Sequence, residues 1–336
     1  MSEGRPTSDR ILRLITGYWA TGIVGTASKY GLFTHIEDGV RTVDGLAARA
    51  ELSTRGTQAL LDGLVSMELL ELRAGEYHNT EEAATYLVDH RPTSLTGFAQ
   101  FKMGHMDSLA DLPEVVRAGG PLSTSVVGVV DNPYWEALVQ ALAATSLPAT
   151  EIAADVLGIA GAGEMSLLDI GGGSGIYSRV WLQLNTAARA TQLDWAPINR
   201  IARRLLAEHG VGDRVDYIDG NFHTTDFGGS AYAPYDYVVY SNIARQEGPE
   251  ENMALFDKAR SALKPGGTLV VADYVVDDDR GGGPRYALQF ASEMLLKSTH
   301  GSTWRRADYH AWLTKTGYEE ITFQPTPSPT TLIFAR

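Results

Sequence analysis

The chain has 336 residues, enough for two domains of ordinary size, and its 44% hydrophobic and 21% charged content excludes general disorder. Cysteine is absent, which excludes disulfides, thiolate metal sites and cysteine nucleophiles, and a net charge of −13 argues against general nucleic-acid binding. The charged N-terminal residues do not read as a signal peptide, and no uninterrupted apolar run is long enough to span a bilayer. The expectation is a cytoplasmic protein that works on small molecules, with no membrane or nucleic-acid partner.

In chain order, Ile11, Leu12, Leu14, Ile15, Tyr18 and Trp19 fall on one helical face, and the helix is expected to continue through small residues to Tyr30. A helix apolar on nearly all sides is normally buried, and a second copy of the chain is its expected cover. Thr42 is expected to cap a helix holding Leu46 and Ala47, Ser53 one holding Leu60, Leu64 and Met67, and Thr80 another. Residues 69–72 and 76–78, joined at Ala74 and Gly75, read as a two-stranded wing, which makes the whole a winged-helix pattern. The helix that would read DNA carries Arg55, Gln58 and Asp62, with Glu68 just beyond it, and has no basic face. Dimerisation and substrate capping are therefore its expected roles. Residues 97–150 read as helical, broken at Gly119-Gly120-Pro121 and over 123–132. The domain boundary is expected inside a helix near 149–157, dividing the chain into 1–150 and 151–336.

The second half alternates. Strands are expected at 166–170, 189–193, 215–218, 235–240 and 268–274, with helices at 176–183, 198–208 and 252–263 between them. A helix at 306–316 and strands at 320–324 and 331–335 follow. This is the pattern of an α/β fold with a mostly parallel sheet, helices on both faces, and a final antiparallel hairpin at one edge.

The strongest motif is Leu168-Asp169-Ile170-Gly171-Gly172-Gly173-Ser174-Gly175, which leaves the first of these strands and opens a helix. Glycines there permit a sharp turn and close approach of a ligand to the main chain. The spacing of Gly171, Gly173 and Gly175 differs from that of dinucleotide binders, and a carboxylate at Asp169 would repel a pyrophosphate, so a phosphate-free cofactor is expected. Asp194 ends the second strand, 25 positions after Asp169, where a carboxylate can accept hydrogen bonds from two ribose hydroxyls. Asn221 and Phe222, after the third strand, suit the edge and the face of an adenine.

These motifs, with Leu263-Lys264-Pro265-Gly266-Gly267 and Ala311-Trp312-Leu313 to Gly317-Tyr318, resemble the class I S-adenosylmethionine-dependent small-molecule O-methyltransferases. The likeness is to the caffeate, hydroxyindole and phenazine methyltransferases, of the kind found in actinobacterial natural-product pathways, and it covers nearly the whole chain. It implies a Rossmann-like methyltransferase domain behind an N-terminal α-helical winged-helix dimerisation domain. It further implies a homodimer through the N-terminal helices, S-adenosylmethionine as cofactor with S-adenosylhomocysteine as product, and a small aromatic or polyketide-like substrate. By this resemblance Asp169, Gly171, Gly173, Gly175, Asp194, Trp195, Asn221, Phe222, Ser241 and Asn242 surround the cofactor. Phe101, His105, Arg245, Gln246, Phe290, Met294 and Trp304 face the substrate.

The family pattern carries aspartate where this chain has Asn221, which keeps the acceptor oxygen without the charge, and it breaks at the catalytic base. Its Asn-Ile-x-His histidine, the base that deprotonates the acceptor, falls at Arg245 in Ser241-Asn242-Ile243-Ala244-Arg245, and the glutamate that helps hold it falls near Thr303. Arginine stays protonated and cannot serve as a base. Four reactions remain open. The methyl group goes to an oxygen that is already ionised (the favoured reading), to a carbon activated by a neighbouring phenolate or enolate, or to a nitrogen; or methyl transfer has given way to a decarboxylation or rearrangement. Arg245, Asp273 and His105 are the candidate catalytic groups, with His223 and His300 behind them. The bland alternative makes Arg245 a surface residue paired with Glu247 or Glu250. A cofactor-sensing winged-helix regulator is a rival that the acidic charge disfavours, and no histidine spacing points to a metal.

Overall fold

The structure, a computed structural model, describes residues 7–123, 130, 133–281 and 284–336. The chain forms two compact units, Met1–Ala110 and Asp111–Arg336.

The first unit is mostly helical: α1 (Asp9–Ile15), α2 (Tyr18–Lys29), α3 (Leu32–Glu37), α4 (Val43–Arg49), α5 (Thr54–Ser66), the antiparallel pair β1 (Leu70–Arg73) and β2 (Glu76–Asn79), α6 (Glu81–Tyr86) and α7 (Thr96–Gly104). The three expected caps form: Thr42, Ser53 and Thr80 accept hydrogen bonds from the backbone N–H groups of Gly45, Gly56 and Ala83. The single helix expected from 11 to 30 is instead two. Thr16 turns its hydroxyl back onto the Leu12 carbonyl, Gly17 follows, and the chain restarts at Tyr18. Within the unit α2 lies against α7 so closely that a Cβ on Gly25 would stand 2.6 Å from Met103 Cβ. Helix α1 buries no residue; Ile11, Leu12, Leu14 and Ile15 are more than half exposed, as are Tyr18 and Trp19 at the start of α2.

The second unit contains α8 (Leu112–Ala118), α9 (Pro133–Leu157), β3 (Ser166–Ile170), α10 (Ile176–Leu184), β4 (Arg189–Asp194), α11 (Ala196–Glu208), β5 (Val215–Asp219), β6 (Tyr235–Ser241), α12 (Pro249–Ala262) and β7 (Leu263–Asp273). After these come β8 (Val275–Val276), α13 (Arg285–Lys297), β9 (Trp304–Arg305), α14 (Arg306–Lys315), β10 (Ile321–Pro325) and β11 (Thr331–Ala335). The main sheet runs β10-β11-β7-β6-β3-β4-β5, parallel except for β10 and β11, so the expected edge hairpin is present. Leu167, Val239 and Val270 pack on one face of the sheet, and Leu168, Val238 and Val271 pack on the other. Burial on both faces is why these strands read as apolar runs.

The units divide earlier than the expected boundary at 150. Helix α9 belongs to the second unit because Leu147, Ala149 and Ala153 join Tyr177 and Trp181 in its core, and Trp181 donates its indole N–H to the Thr150 carbonyl. Residues Tyr134–Leu157 are also long and apolar enough, by length and composition, to span a bilayer, with a mean hydropathy of 1.2. Glu136, Glu151 and Asp155 interrupt this stretch, so it does not stand out in the sequence as one apolar run. In the fold their apolar face is spent on the core of the second unit and on the cavity described next.

Candidate active site

A cavity of about 370 Å³ opens at the C-terminal ends of β3, β4, β5 and β6, where open α/β sheets place their ligands. The glycine turn after β3 forms its floor. Gly171 and Gly173 both sit at φ 58°, a conformation that side chains disfavour, and a Cβ on Gly171 would stand 2.5 Å from Ile243 Cδ1. The turn is braced from behind. Gln192 on β4 donates to the Gly173 carbonyl at 3.2 Å and to Asn199 Oδ1 at 3.1 Å. The Asn199 amide donates to Asp194 O, Ile218 O and Asp219 Oδ1, tying the ends of β4 and β5 together.

Two of the carboxylates that line the cavity, Asp169 and Asp194, stand beside the glycine turn. Asp169 is 1% exposed and accepts a hydrogen bond from the Ser178 hydroxyl at 3.4 Å. Burial, then the charge of Asp194, push its pKa up to about 7. Asp194 accepts the N–H groups of Gly173 at 2.9 Å and Trp195 at 2.7 Å, yet burial still raises its pKa to about 6. Two acids held this high, one buried and one half-buried, favour a cationic ligand. Arg245 is the one lysine or arginine among the described lining residues, so nothing at the glycine turn would neutralise a phosphate. Trp135 lines the cavity with a buried indole N–H that has no protein partner. The backbone approach, the acids and this free donor fit a phosphate-free, cation-bearing nucleoside.

The other end of the cavity is built on the turn after β6. Asn242, at φ 62°, receives the Arg245 guanidinium Nη1 at 2.7 Å on its side-chain oxygen. The same Nη1 meets Asp273 Oδ1 at 2.8 Å, and the Arg245 backbone N–H meets Asp273 Oδ2 at 3.0 Å. Arg245 is 4% exposed and Asp273 0%. The rings of Tyr274 and Phe290 lie 4.4 and 5.0 Å from the guanidinium carbon. Burial works against the charged guanidinium, but the Asp273 charge and hydrogen bond, with Tyr274 and Tyr286, outweigh it and hold its pKa above the ordinary value. Arg245 lines the cavity and Asp273, among the described residues, does not, so the pair turns its positive end to the ligand.

Of the residues expected at the site, Asp169, Gly171, Gly173, Asp194, Trp195, Asn221, Phe222, Ser241, Asn242, Arg245 and Gln246 line this cavity. Others do not. Gly175 lies behind the turn, where a Cβ would meet Leu206 at 2.9 Å. Trp304 donates its indole N–H to the Ala244 carbonyl and packs on Trp312, so it buttresses the Arg245 turn. Phe290 packs on Tyr274, and Met294 is buried on α13. Phe101 and His105 belong to the first unit, where the imidazole Nδ1 lies 2.7 Å from the Phe101 carbonyl. The surface pairing considered for Arg245 is not found: Glu247 pairs instead with His223 at 3.3 Å. The Asn221 side-chain oxygen, expected at a ligand edge, accepts the backbone N–H of His223 at 2.9 Å.

Sequence reasoning missed Trp135, Leu138, Val139, Leu142 and Ser146, which present one face of α9 to the cavity. Their helical spacing was the available signal. It is masked by a helix apolar on most sides. Replacing Asp273 with alanine strands a buried guanidinium and should cost about 3–5 kcal/mol of stability, whereas the double change Arg245→Met with Asp273→Leu should cost much less. Denaturant unfolding of the two variants checks this.

The sequence matches the O-methyltransferase dimerisation domain over residues 12–89 and the O-methyltransferase domain over 151–319. It is 27% identical to 3-hydroxy-5-methyl-1-naphthoate 3-O-methyltransferase of Streptomyces sahachiroi, over 92% of this chain and 88% of that one. It is also 27% identical to L-tyrosine C(3)-methyltransferase of Streptomyces lavendulae, over 93% of this chain and 87% of that one. The fold is similar to human N-acetylserotonin methyltransferase in complex with S-adenosylmethionine, with a TM-score of 0.84 and 23% identity over 100% and 99% of the two chains. The chain belongs to the S-adenosylmethionine-dependent O-methyltransferase family, with both its dimerisation domain and its O-methyltransferase domain.

Proposed function

We propose that this O-methyltransferase methylates an acceptor oxygen that arrives already ionised, an acidic phenol, enol or carboxylate of a small aromatic or polyketide-like compound. The observation that carries this reading is Arg245: a permanent cation, buried and ion-paired, stands on the turn where the family places its base. S-adenosylmethionine, when bound, supplies a methyl group on a sulfonium, which an anionic oxygen can attack without further activation. The chain's own residues then have binding and positioning to do. Asp194 is suited to ribose hydroxyls, Asp169 to an ammonium group, and Phe222 to the face of the adenine. Arg245, with Nη1 fixed by Asp273 and Asn242, offers its remaining N–H groups to the acceptor anion, lowering the pKa of a hydroxyl placed there. Proximity and alignment supply most of the acceleration.

A second reading keeps the same cation and moves the methyl group to carbon. It draws support from the similarity to L-tyrosine C(3)-methyltransferase. A phenolate makes its ring carbons nucleophilic, and Arg245 would stabilise that charge in the same way.

Mass spectrometry of the protein with S-adenosylmethionine and a panel of acidic phenols, aromatic acids and enolisable keto acids tests both readings. A gain of one methyl group on oxygen is expected; a gain on carbon selects the second reading, and no gain with any acceptor contradicts both.

The two acids set a pH dependence. Their folded-state pKa values lie above the ordinary 3.8, so the protein without ligand takes up protons as pH falls through about 7 and 6. Their contribution to stability is therefore greatest in acid and is lost as pH rises through that window. A cation binds the ionised acids, so affinity for S-adenosylmethionine should fall at least about tenfold between pH 8 and pH 5.5. Calorimetric titration at the two pH values measures it; an unchanged affinity would show that these acids do not face the cofactor's charge.

The exposed apolar row of α1 falls largely within the dimerisation match, and a second copy of the chain is its proposed cover. Leu14→Asp with Ile15→Asp should leave a monomer by analytical ultracentrifugation, and an undisturbed dimer would place the interface elsewhere.

A further inference from the structure

His223, on the turn after β5, and Glu247, on the turn after β6, meet at the cavity with Nε2 and Oε1 3.3 Å apart. Glu247 is 8% exposed, an unusual depth for a carboxylate whose recorded side-chain partner is a single histidine. Its hydrogen bond raises the pKa of His223 against the effect of burial; the other charges facing the imidazole are Glu251, which raises it, and Lys258, which lowers it. Lys258 also donates to the Phe222 carbonyl at 2.8 Å, fixing the turn from outside. Phe222 lines the same end of the cavity.

The Asn221 side-chain oxygen is committed to the His223 backbone N–H at 2.9 Å. It shapes the turn, and with one lone pair used this neutral oxygen is a weaker acceptor for a ligand amino group than a carboxylate. Glu247 has capacity to spare, because an ionised carboxylate can accept about four hydrogen bonds and the imidazole takes one.

We propose that Glu247, held by His223, accepts the exocyclic amino group of the adenine and makes the site prefer a 6-amino purine to a 6-oxo purine. This rests on the purine lying against Phe222. An amino group donates to the carboxylate, whereas a carbonyl at the same place would meet it oxygen to oxygen. A site built to accept a donor rejects the analogue that lacks one.

The test is calorimetric titration of the intact protein with S-adenosylhomocysteine and with S-inosylhomocysteine. The unaltered protein should favour the adenosyl ligand by roughly tenfold or more. Glu247→Gln, whose amide can donate to a carbonyl, should bring the two ligands within about threefold of each other. His223→Gln keeps the carboxylate, so it should weaken both ligands and retain the preference. An unchanged preference in Glu247→Gln, with both ligands weakened equally, would make the pair a brace and overturn the assignment. Phe222→Ala separates the two levels: equal weakening of both ligands supports the purine position, and no effect on either overturns that position instead.

Discussion

The buried ion pair between Arg245 and Asp273 fixes the geometry of the cavity where it meets the ends of β6 and β7. Asp273 ends β7 and holds both the backbone and the guanidinium of a residue that follows β6. The pair therefore locks two adjacent strand ends and the short turn between Asn242 and Glu247. Asn242 Oδ1 receives Arg245 Nη1, the Asn242 carbonyl receives the Gln246 amide, and the Ala244 carbonyl receives the Trp304 indole. Such a pair adds little net stability against an apolar substitute, because both charges are desolvated. What it does supply is a fixed cation at a chosen place.

That cation faces a cavity whose other end is acidic. Asp169 is buried and Asp194 half-buried, both with raised pKa values, while Arg245 is held charged. A ligand with a positive centre is drawn to the first end and one with a negative centre to the second. This division suits the proposed transfer between a sulfonium donor and an anionic acceptor, in which Arg245 binds the acceptor and takes no proton from it. Under that proposal the acceptors are limited to groups acidic enough to ionise near the working pH.

Much of this was legible in the sequence. The alternation of apolar runs and amphipathic stretches marked the sheet, because strands covered on both faces must be apolar throughout. The glycine turn stood out because its chemistry is local, and the two acids because each sits at or beside the end of one of two strands joined by a single helix. The partner of Arg245 was harder to read. Asp273 was named as a candidate acid, but 28 positions separate it from Arg245, and only the parallel pairing of β6 with β7 brings them together. Glu247 stood in the sequence only as a possible surface partner for Arg245, and His223 was one histidine among several. The face of α9 was hidden by a helix apolar on most sides. The break at Thr16 and Gly17 came from a side-chain hydrogen bond that periodicity does not record.

The most direct measurement is the pH profile of kcat/KM for a series of phenolic acceptors of graded acidity. If the acceptor ionises without a base from the protein, the rising limb must move with the pKa of each phenol. A limb fixed at one pH for every acceptor would reveal a titrating base in the site and contradict the role given to Arg245.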